Sequence, residues 1–164
     1  MCLENIKRLE QPANDIKCYK VLQVDGMWLF RTLWSPIMYY KWKQGKVYAT
    51  GRNEPIIEPD LRAGKPEWGV VNRVEGGSFH TYADMDAAIR ICNEFNKYEL
   101  SKEPSVFRRF RYAVYECVIP ADSNFVYEGT YTCFSGGKED KCFASEKLRI
   151  GKCIYRNYKN KGVE

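Results

Sequence analysis

The chain has 164 residues, 45% of them hydrophobic and 15% aromatic, and a formal net charge of +5. This apolar content excludes a disordered chain, and the length predicts a single domain over residues 1–164 with one buried core. Because neither a run of about 18 apolar residues nor a secretory signal is present, the sequence predicts a soluble, cytoplasmic protein without membrane contact.

Aromatic and β-branched segments predict strands in the first third of the chain. Residues 3–11 (LENIKRLEQ) are polar and fit a short helix, whereas 16–23 (IKCYKVLQ) is typical of a buried strand. The Asp-Gly pair at 25–26 predicts a hairpin to a second strand at 27–34. Further aromatic residues on both sides of a Gln44–Gly45 turn indicate extended structure.

Residues that break regular structure dominate 53–77, which contains three prolines and four glycines. This density predicts a long irregular loop with one short strand at 68–74. Loops of this length inside a compact domain tend to be functional. The segment is therefore a candidate binding lid.

The clearest helix follows this loop. Asp84 is placed to accept backbone N–H bonds as its N-cap, and the helix is predicted over 85–99. Arg90, Glu94 and Lys97 fall on its polar side. The face that is predicted to be buried consists of Met85, Ala88, Ile89, Cys92, Phe95 and Asn96.

The strongest strand prediction is 107–120 (FRRFRYAVYECVIP), because apolar residues occupy both of its faces, as in a central strand that is covered above and below. Another strand is predicted at 124–134. Residues 142–158 are predicted to form closing strands that divide near Gly151, with a basic C-terminal tail at 156–164. The sum is an α+β fold: a curved, mostly antiparallel sheet of about seven short strands with one main helix packed on it.

Seven cysteines without a secretory signal predict reduced thiols rather than disulfides. Eight and ten residues separate Cys133, Cys142 and Cys153, and no pair has the short spacing of a zinc site, so neither a metal nor a cofactor is predicted. Removal of the first methionine would leave Cys2 as an N-terminal nucleophile. The polar residues that follow Cys2 do not predict the strand that such a site needs.

The segment SFHTY contains His80, which is the only histidine in the chain. In an extended segment, Phe79 and Thr81 face one way while His80 and Tyr82 face the other. If Phe79 packs beneath the helix, His80 points away from the core, where a ring near its ordinary pKa can transfer protons. The alternative is a structural role, in which the ring ties loop carbonyls together ahead of Asp84.

Two groups of aromatic and basic residues are candidates for ligand binding. Around the first strands, Tyr40 and Trp42 are candidates to stack on a planar ligand while Arg31 or Lys41 meets a phosphate. The alternative is that these rings belong to the core. The cluster Arg108, Arg109 and Arg111 is a candidate for contact with nucleic acid or an acidic partner, the alternative being a solvated surface.

Several stretches share their order with a known set of sequences. The stretches MCL, IKCYKVL, SPIMYYKWKQGKVY, SFHTYADMDAA, ECVIPADSNFVYEG and FASEKLRIGK together resemble short, uncharacterised proteins from gut anaerobic bacteria and their phages. That set has no established activity. The resemblance therefore implies a phage or mobile-element origin and an order of elements, and it implies no chemistry.

The last third of the chain is also similar in layout to ADP-ribosyltransferase-like folds, through CVIPADSNFVYEG and FASEKLRIGKCI. That similarity implies a glutamate ahead of the final core strands, at Glu146, which would engage the nicotinamide ribose. The Ser-Thr-Ser element of those enzymes is absent, and CYK stands where their first strand has Arg or His.

Three functions follow from these patterns. The leading hypothesis is a small intracellular binding module that engages a protein partner or a small ligand through residues 53–77 and the edge around His80. The first alternative is a transferase-like enzyme with His80, Tyr82 and Glu146 around a nucleotide pocket. The second is nucleic-acid binding through the basic cluster. A binding role is favoured over an enzyme.

Overall fold

The computed structural model describes residues 3–9, 12–25, 32–34, 41–59, 72–101, 111–132 and 139–157. Within these ranges the chain forms twelve strands and one helix. The strands are β1 (Glu4–Arg8), β2 (Ile16–Asp25), β3 (Thr32–Trp34), β4 (Lys41–Trp42), β5 (Val47–Ala49), β6 (Ile56–Pro59), β7 (Asn72–Gly76), β8 (Phe79–Tyr82), β9 (Arg111–Ile119), β10 (Val126–Thr132), β11 (Glu139–Ser145) and β12 (Lys147–Arg156). The helix is α1 (Met85–Ser101).

Ten of the strands form one sheet. Its main order is β1-β10-β11-β8-β2-β9-β12-β5, with β3 pairing to β2 and β4 to β3, and every named pairing is antiparallel. The strands β6 and β7 form a separate antiparallel ribbon. The predicted α+β class is confirmed as a mostly antiparallel sheet with one helix, although the described strands outnumber the seven that the sequence predicted.

The strand β9 is central, as predicted, and pairs with β2 on one side and β12 on the other. Its two faces carry the side chains that the alternation predicted. Tyr112 and Val114 pack under the helix, in a cluster called here the helix-side core. The opposite face contributes Ala113, Tyr115, Cys117 and Ile119 to a second cluster, called here the inner core.

The sheet curls strongly. β11 ends at Ser145 and β12 begins at Lys147, although three strands lie between them in the sheet. Four strand spacings of a flat sheet amount to about 19 Å, whereas a single intervening residue spans about 7 Å. The sheet therefore bends until its halves meet at Glu146, whose N–H donates to the Phe125 carbonyl (3.3 Å) and whose carbonyl accepts the Thr50 N–H (3.0 Å).

This curl explains how the inner core is covered. All of its buried residues belong to strands, and none comes from the helix. The sheet wraps around this face, while α1 covers the other with Ala87, Ala88, Ile91 and Cys92. The expectation that Phe79 lies beneath the helix is wrong: Phe79 belongs to the inner core, because the alternation of β8 gives the helix side to Tyr82.

The helix begins as predicted. The Ala87 N–H donates to the Asp84 carboxylate (2.9 Å), which is an N-cap bond, and the helix ends two residues beyond the predicted position. Met85 is 42% exposed and does not belong to the buried face. The buried face of the helix begins two residues later, at Ala87 and Ala88, because Met85 is the first residue of the helix.

Three further segments differ from the prediction. Residues 4–8 form an edge strand rather than a helix, because β10 supplies a pairing partner from more than 100 residues away. The predicted loop 53–77 contains β6 and β7, which pair with each other, whereas residues 60–71 lie outside the described part. The closing segment divides at Glu146, and Gly151 lies inside β12.

The glycine at 151 has a packing role instead. β12 is irregular between Ile150 and Cys153, and a Cβ at Gly151 would lie 2.8 Å from the Glu116 carbonyl oxygen. Only glycine permits this close approach of the two backbones.

Among the described residues, no helix has the length and apolar character that a bilayer crossing requires.

Candidate functional site at the split between β2 and β8

The strands β2 and β8 separate soon after they meet. Their one register pair is Tyr19 with Tyr82, and β8 then diverges from β2. Where the next backbone bonds of the ladder would form, the Lys20 Nζ donates to the His80 carbonyl oxygen at 2.6 Å. A lysine side chain thus replaces a strand-to-strand hydrogen bond. We call this place the β2–β8 split and define it by Lys20, Ser78 and His80.

The Lys20 side chain is almost fully buried, with 8% of the residue exposed. Its Nζ lies 5.5 Å from the centre of the Trp42 ring, a cation–π contact. No carboxylate among the described residues forms an ion pair with it. Burial lowers the pKa of Lys20 below its usual value, and the nearby Cys117 and Cys18 thiols oppose this change.

Two buried polar atoms, just before and within β8, have no hydrogen-bond partner among the described residues. They are Ser78 Oγ and His80 Nδ1, and both belong to residues that remain partly exposed. Buried polar atoms are nearly always hydrogen-bonded, so unpaired ones mark a place where another molecule completes the bonding. The split therefore has a buried cation, Lys20, on the inner-core face of β2, whereas the unpaired atoms belong to Ser78 and His80, which alternate with Phe79 along β8.

The imidazole of His80 is neutral in this environment. Burial lowers its pKa to about 3, and the Lys20 charge acts in the same direction. A neutral ring has one nitrogen that donates and one that accepts. His80 thus offers a hydrogen-bonding atom at physiological pH rather than a proton that is exchanged near neutrality.

Tyr82 and Trp42 are both core residues. Tyr82 is 1% exposed and packs in the helix-side core. Trp42 is 3% exposed in the inner core, and its ring meets the rings of Tyr48 (4.8 Å) and Phe79 (5.1 Å) edge-on. Both rings are thus covered by the protein itself, as the alternative interpretation of the aromatic segment had it.

The carboxylate of Glu146 is used by the backbone. It is buried, and its Oε2 accepts the Asn124 N–H at 3.0 Å. Ala144 of β11 pairs in register with His80, and Glu146 follows Ala144 by two residues, just after β11 ends. The structure brings the backbones of His80 and Glu146 near each other, while the carboxylate is bound to the turn ahead of β10. A nucleotide pocket made by these residues stays a prediction.

The remaining predicted residues lie elsewhere. Arg111 is exposed at the start of β9, where it pairs in register with Val24 of β2. Cys2, Arg31, Tyr40, Arg108 and Arg109 are outside the described residues, as is the tail beyond residue 157. Within the described part, no group of three or more His, Cys, Asp or Glu residues is arranged to hold a metal ion.

The sequence analysis missed Lys20, although a signal was present. In the strand 16–23, Cys18, Lys20 and Leu22 alternate onto one face, and both neighbours of the lysine on that face are apolar. A lysine between two inward-facing residues predicts either a buried charge or a distorted strand.

A shallow groove of about 430 Å³ runs along the outer side of α1. Asp86, Arg90, Glu94 and Lys97 line it together with Ile89 and Asn93, so charges of both signs alternate. Arg90 forms a close ion pair with the buried Asp140. Because both signs of charge line this groove, it favours neither an anionic nor a cationic ligand.

Comparison with known proteins adds no assignment. No family model, no curated protein and no solved structure matches the chain.

Proposed function

We propose that this protein is a binding module that takes up a small ligand with a single anionic group, such as a carboxylate, at the β2–β8 split. The observation that carries the proposal is the buried ammonium of Lys20, which has a carbonyl oxygen and an aromatic ring as partners and no carboxylate among the described residues. A buried charge without a counter-charge is costly. A bound carboxylate would supply that counter-charge.

The neighbouring groups favour the same kind of ligand. Ser78 Oγ can donate a hydrogen bond to such a ligand, and so can His80 Nδ1 when the neutral ring carries its proton there. A ligand with one negative charge matches the one cation of the split. The ribbon of β6 and β7 joins β8 through Gly77, so it borders this site and would supply further contacts to a partner, with Ile56 and Ile57 each 39% exposed.

The test is thermal unfolding of the protein in increasing concentrations of acetate and benzoate, at constant ionic strength. We expect a saturable rise of the melting temperature, because a ligand that binds only the folded state stabilises it. Lys20→Met removes the charge and keeps the length of the side chain. We expect this variant to fold and to lose the response to both carboxylates.

The matched control is Lys17→Met, on the same strand. The Lys17 side chain is 61% exposed and pairs with Glu116 at 2.6 Å, so its loss leaves the split intact. The proposal fails if the carboxylates do not stabilise the wild-type protein, or if Lys20→Met responds as strongly as Lys17→Met.

A further inference from the structure

The strand β5 is at the open end of the main sheet. The order of paired strands ends at β5, which is bonded to β12 on one side and to no other strand among the described residues. An edge strand with free N–H and C=O groups is a template for another extended chain. The edge is short, with three residues from Val47 to Ala49, and Val47 is 44% exposed.

The register shows which backbone groups of β5 are not bonded to β12. The Thr50 N–H donates to the Glu146 carbonyl, and Tyr48 pairs with Leu148 in the same register. In an antiparallel pair, hydrogen bonds to the partner alternate along the strand. The N–H and C=O groups of Val47 and Ala49 therefore point away from β12, toward the open edge.

Three lysines lie in β4 and in the turn that leads into β5. Lys41, Lys43 and Lys46 are exposed, and none forms an ion pair with a described residue. Two basic side chains of the adjacent strand β12 do form ion pairs: Lys147 with Asp122 (2.8 Å) and Arg149 with Asp15 (3.3 Å).

This turn is held in place by its own contacts. The Gly45 N–H donates to the Ile150 carbonyl (2.7 Å), and Gly45 has a φ of 81°, which favours glycine. The Lys43 N–H donates to the Tyr48 hydroxyl (2.6 Å), and the Lys46 Nζ lies 5.3 Å from the centre of the Tyr48 ring. The lysines are therefore displayed at a fixed position beside the free edge.

We propose that the edge of β5 binds an extended acidic segment of a partner protein, which adds a strand to the sheet while its carboxylates meet Lys43 and Lys46. Lysines beside an edge strand disfavour pairing with a second copy of the same chain, because the two edges carry like charges. An acidic strand is the occupant that these lysines attract. This site is separate from the β2–β8 split and does not depend on the function proposed there.

The test uses a fluorescein-labelled peptide of alternating glutamate and valine, with binding followed by fluorescence anisotropy at low salt. We expect saturable binding to the wild-type protein. The same peptide with N-methyl groups on alternate residues keeps its charge and cannot form the backbone bonds of a strand. We expect the methylated peptide to bind at least about tenfold more weakly than the unmethylated one.

Protein variants separate the role of the lysines. Lys43→Glu/Lys46→Glu should weaken the binding of the unmethylated peptide at least about tenfold. Lys97→Glu, on the exposed side of α1, makes the same kind of charge change away from the edge and should leave the affinity unchanged. Circular dichroism confirms that each variant is folded.

Two results would overturn the proposal. One is equal affinity for the methylated and unmethylated peptides, which would mean that only charge is recognised. The other is tighter binding of oligothymidylate than of the acidic peptide, which would identify the lysines as part of a nucleic-acid surface.

Discussion

Lys20 and His80 show how one pair of residues serves both the fold and the proposed site. The lysine donates to the carbonyl of His80 at the place where β8 leaves β2, and it thereby closes a gap in the sheet. This arrangement has a cost, because burial disfavours its charged form. A protein selected for stability alone gains from an apolar residue at this position. The proposed ligand would supply the counter-charge that Lys20 lacks among the described residues.

The pH dependence of stability tests the environment of His80. Its pKa is lowered to about 3 in the folded protein, whereas the ordinary value is 6.5. Between these two values the unfolded chain binds a proton that the folded chain does not, so stability is full above pH 6.5 and is lost as the pH falls toward 3. We expect the free energy of unfolding to decrease by about 1–2 kcal/mol from pH 7 to pH 5.

His80→Gln isolates this effect, because His80 is the only histidine in the chain. Urea unfolding at pH 7, 6 and 5 should give a nearly constant free energy for the variant and a falling one for the wild-type protein. Parallel curves for the two proteins would show that the ring is protonated as easily in the folded state as in the unfolded one.

At the scale of the elements, a side chain of α1 forms with β9 the two backbone hydrogen bonds that a neighbouring strand would form. The Asn96 amide donates to the Tyr112 carbonyl (3.1 Å), and its Oδ1 accepts the Tyr112 N–H (2.9 Å). β12 pairs with β9 as far as Ala113, so Asn96 continues the hydrogen bonding by one residue beyond that strand. The sequence analysis placed Asn96 on the buried face of the helix but gave no reason for a polar residue there.

The substitution Asn96→Ala should destabilise the fold by about 1–3 kcal/mol, because it removes two hydrogen bonds from a buried backbone group. Lys97→Ala, at the next and exposed position, is the control and should change stability by less than about 0.5 kcal/mol. Chemical denaturation of both variants measures the difference. A change as small as that of the control would mean that another group takes over the bonding of Tyr112.

Local patterns in the sequence were sufficient for some elements. The faces of β9 and the N-cap at Asp84 follow from the spacing of neighbouring residues, and the structure has both. The strand β1 and the position of Phe79 were predicted wrongly, because distant parts of the chain decide them. β1 is held by β10, and the side of Phe79 depends on which face of the sheet is concave.

At the scale of the whole molecule, the curl of the sheet is the feature that the sequence pattern does not contain. Strand alternation identifies two faces and cannot say which one encloses a core. The closing contacts converge on Glu146, whose backbone bonds to Phe125 and Thr50 and whose side chain bonds to Asn124. Lys20 is buried by contacts with β8 and with the Trp42 ring, so the candidate site depends on tertiary structure and could be anticipated only as an unusual lysine on an apolar strand face.

Removal of the Glu146 carboxylate should therefore loosen the closure of the sheet. We expect Glu146→Ala to lower the free energy of unfolding by about 1–3 kcal/mol, because the Asn124 N–H loses its carboxylate acceptor in a partly buried hydrogen bond. Glu146→Gln retains an acceptor oxygen and should cost less. Asp122→Ala is the control, since its side chain is 75% exposed and solvent screens its ion pair with Lys147, which therefore contributes little to stability. Urea unfolding measures all three variants, and amide hydrogen exchange at Thr50 should accelerate in Glu146→Ala alone. If Glu146→Ala unfolds like Asp122→Ala, the backbone bonds of residue 146 are sufficient to hold the curl, and the carboxylate is free for another role.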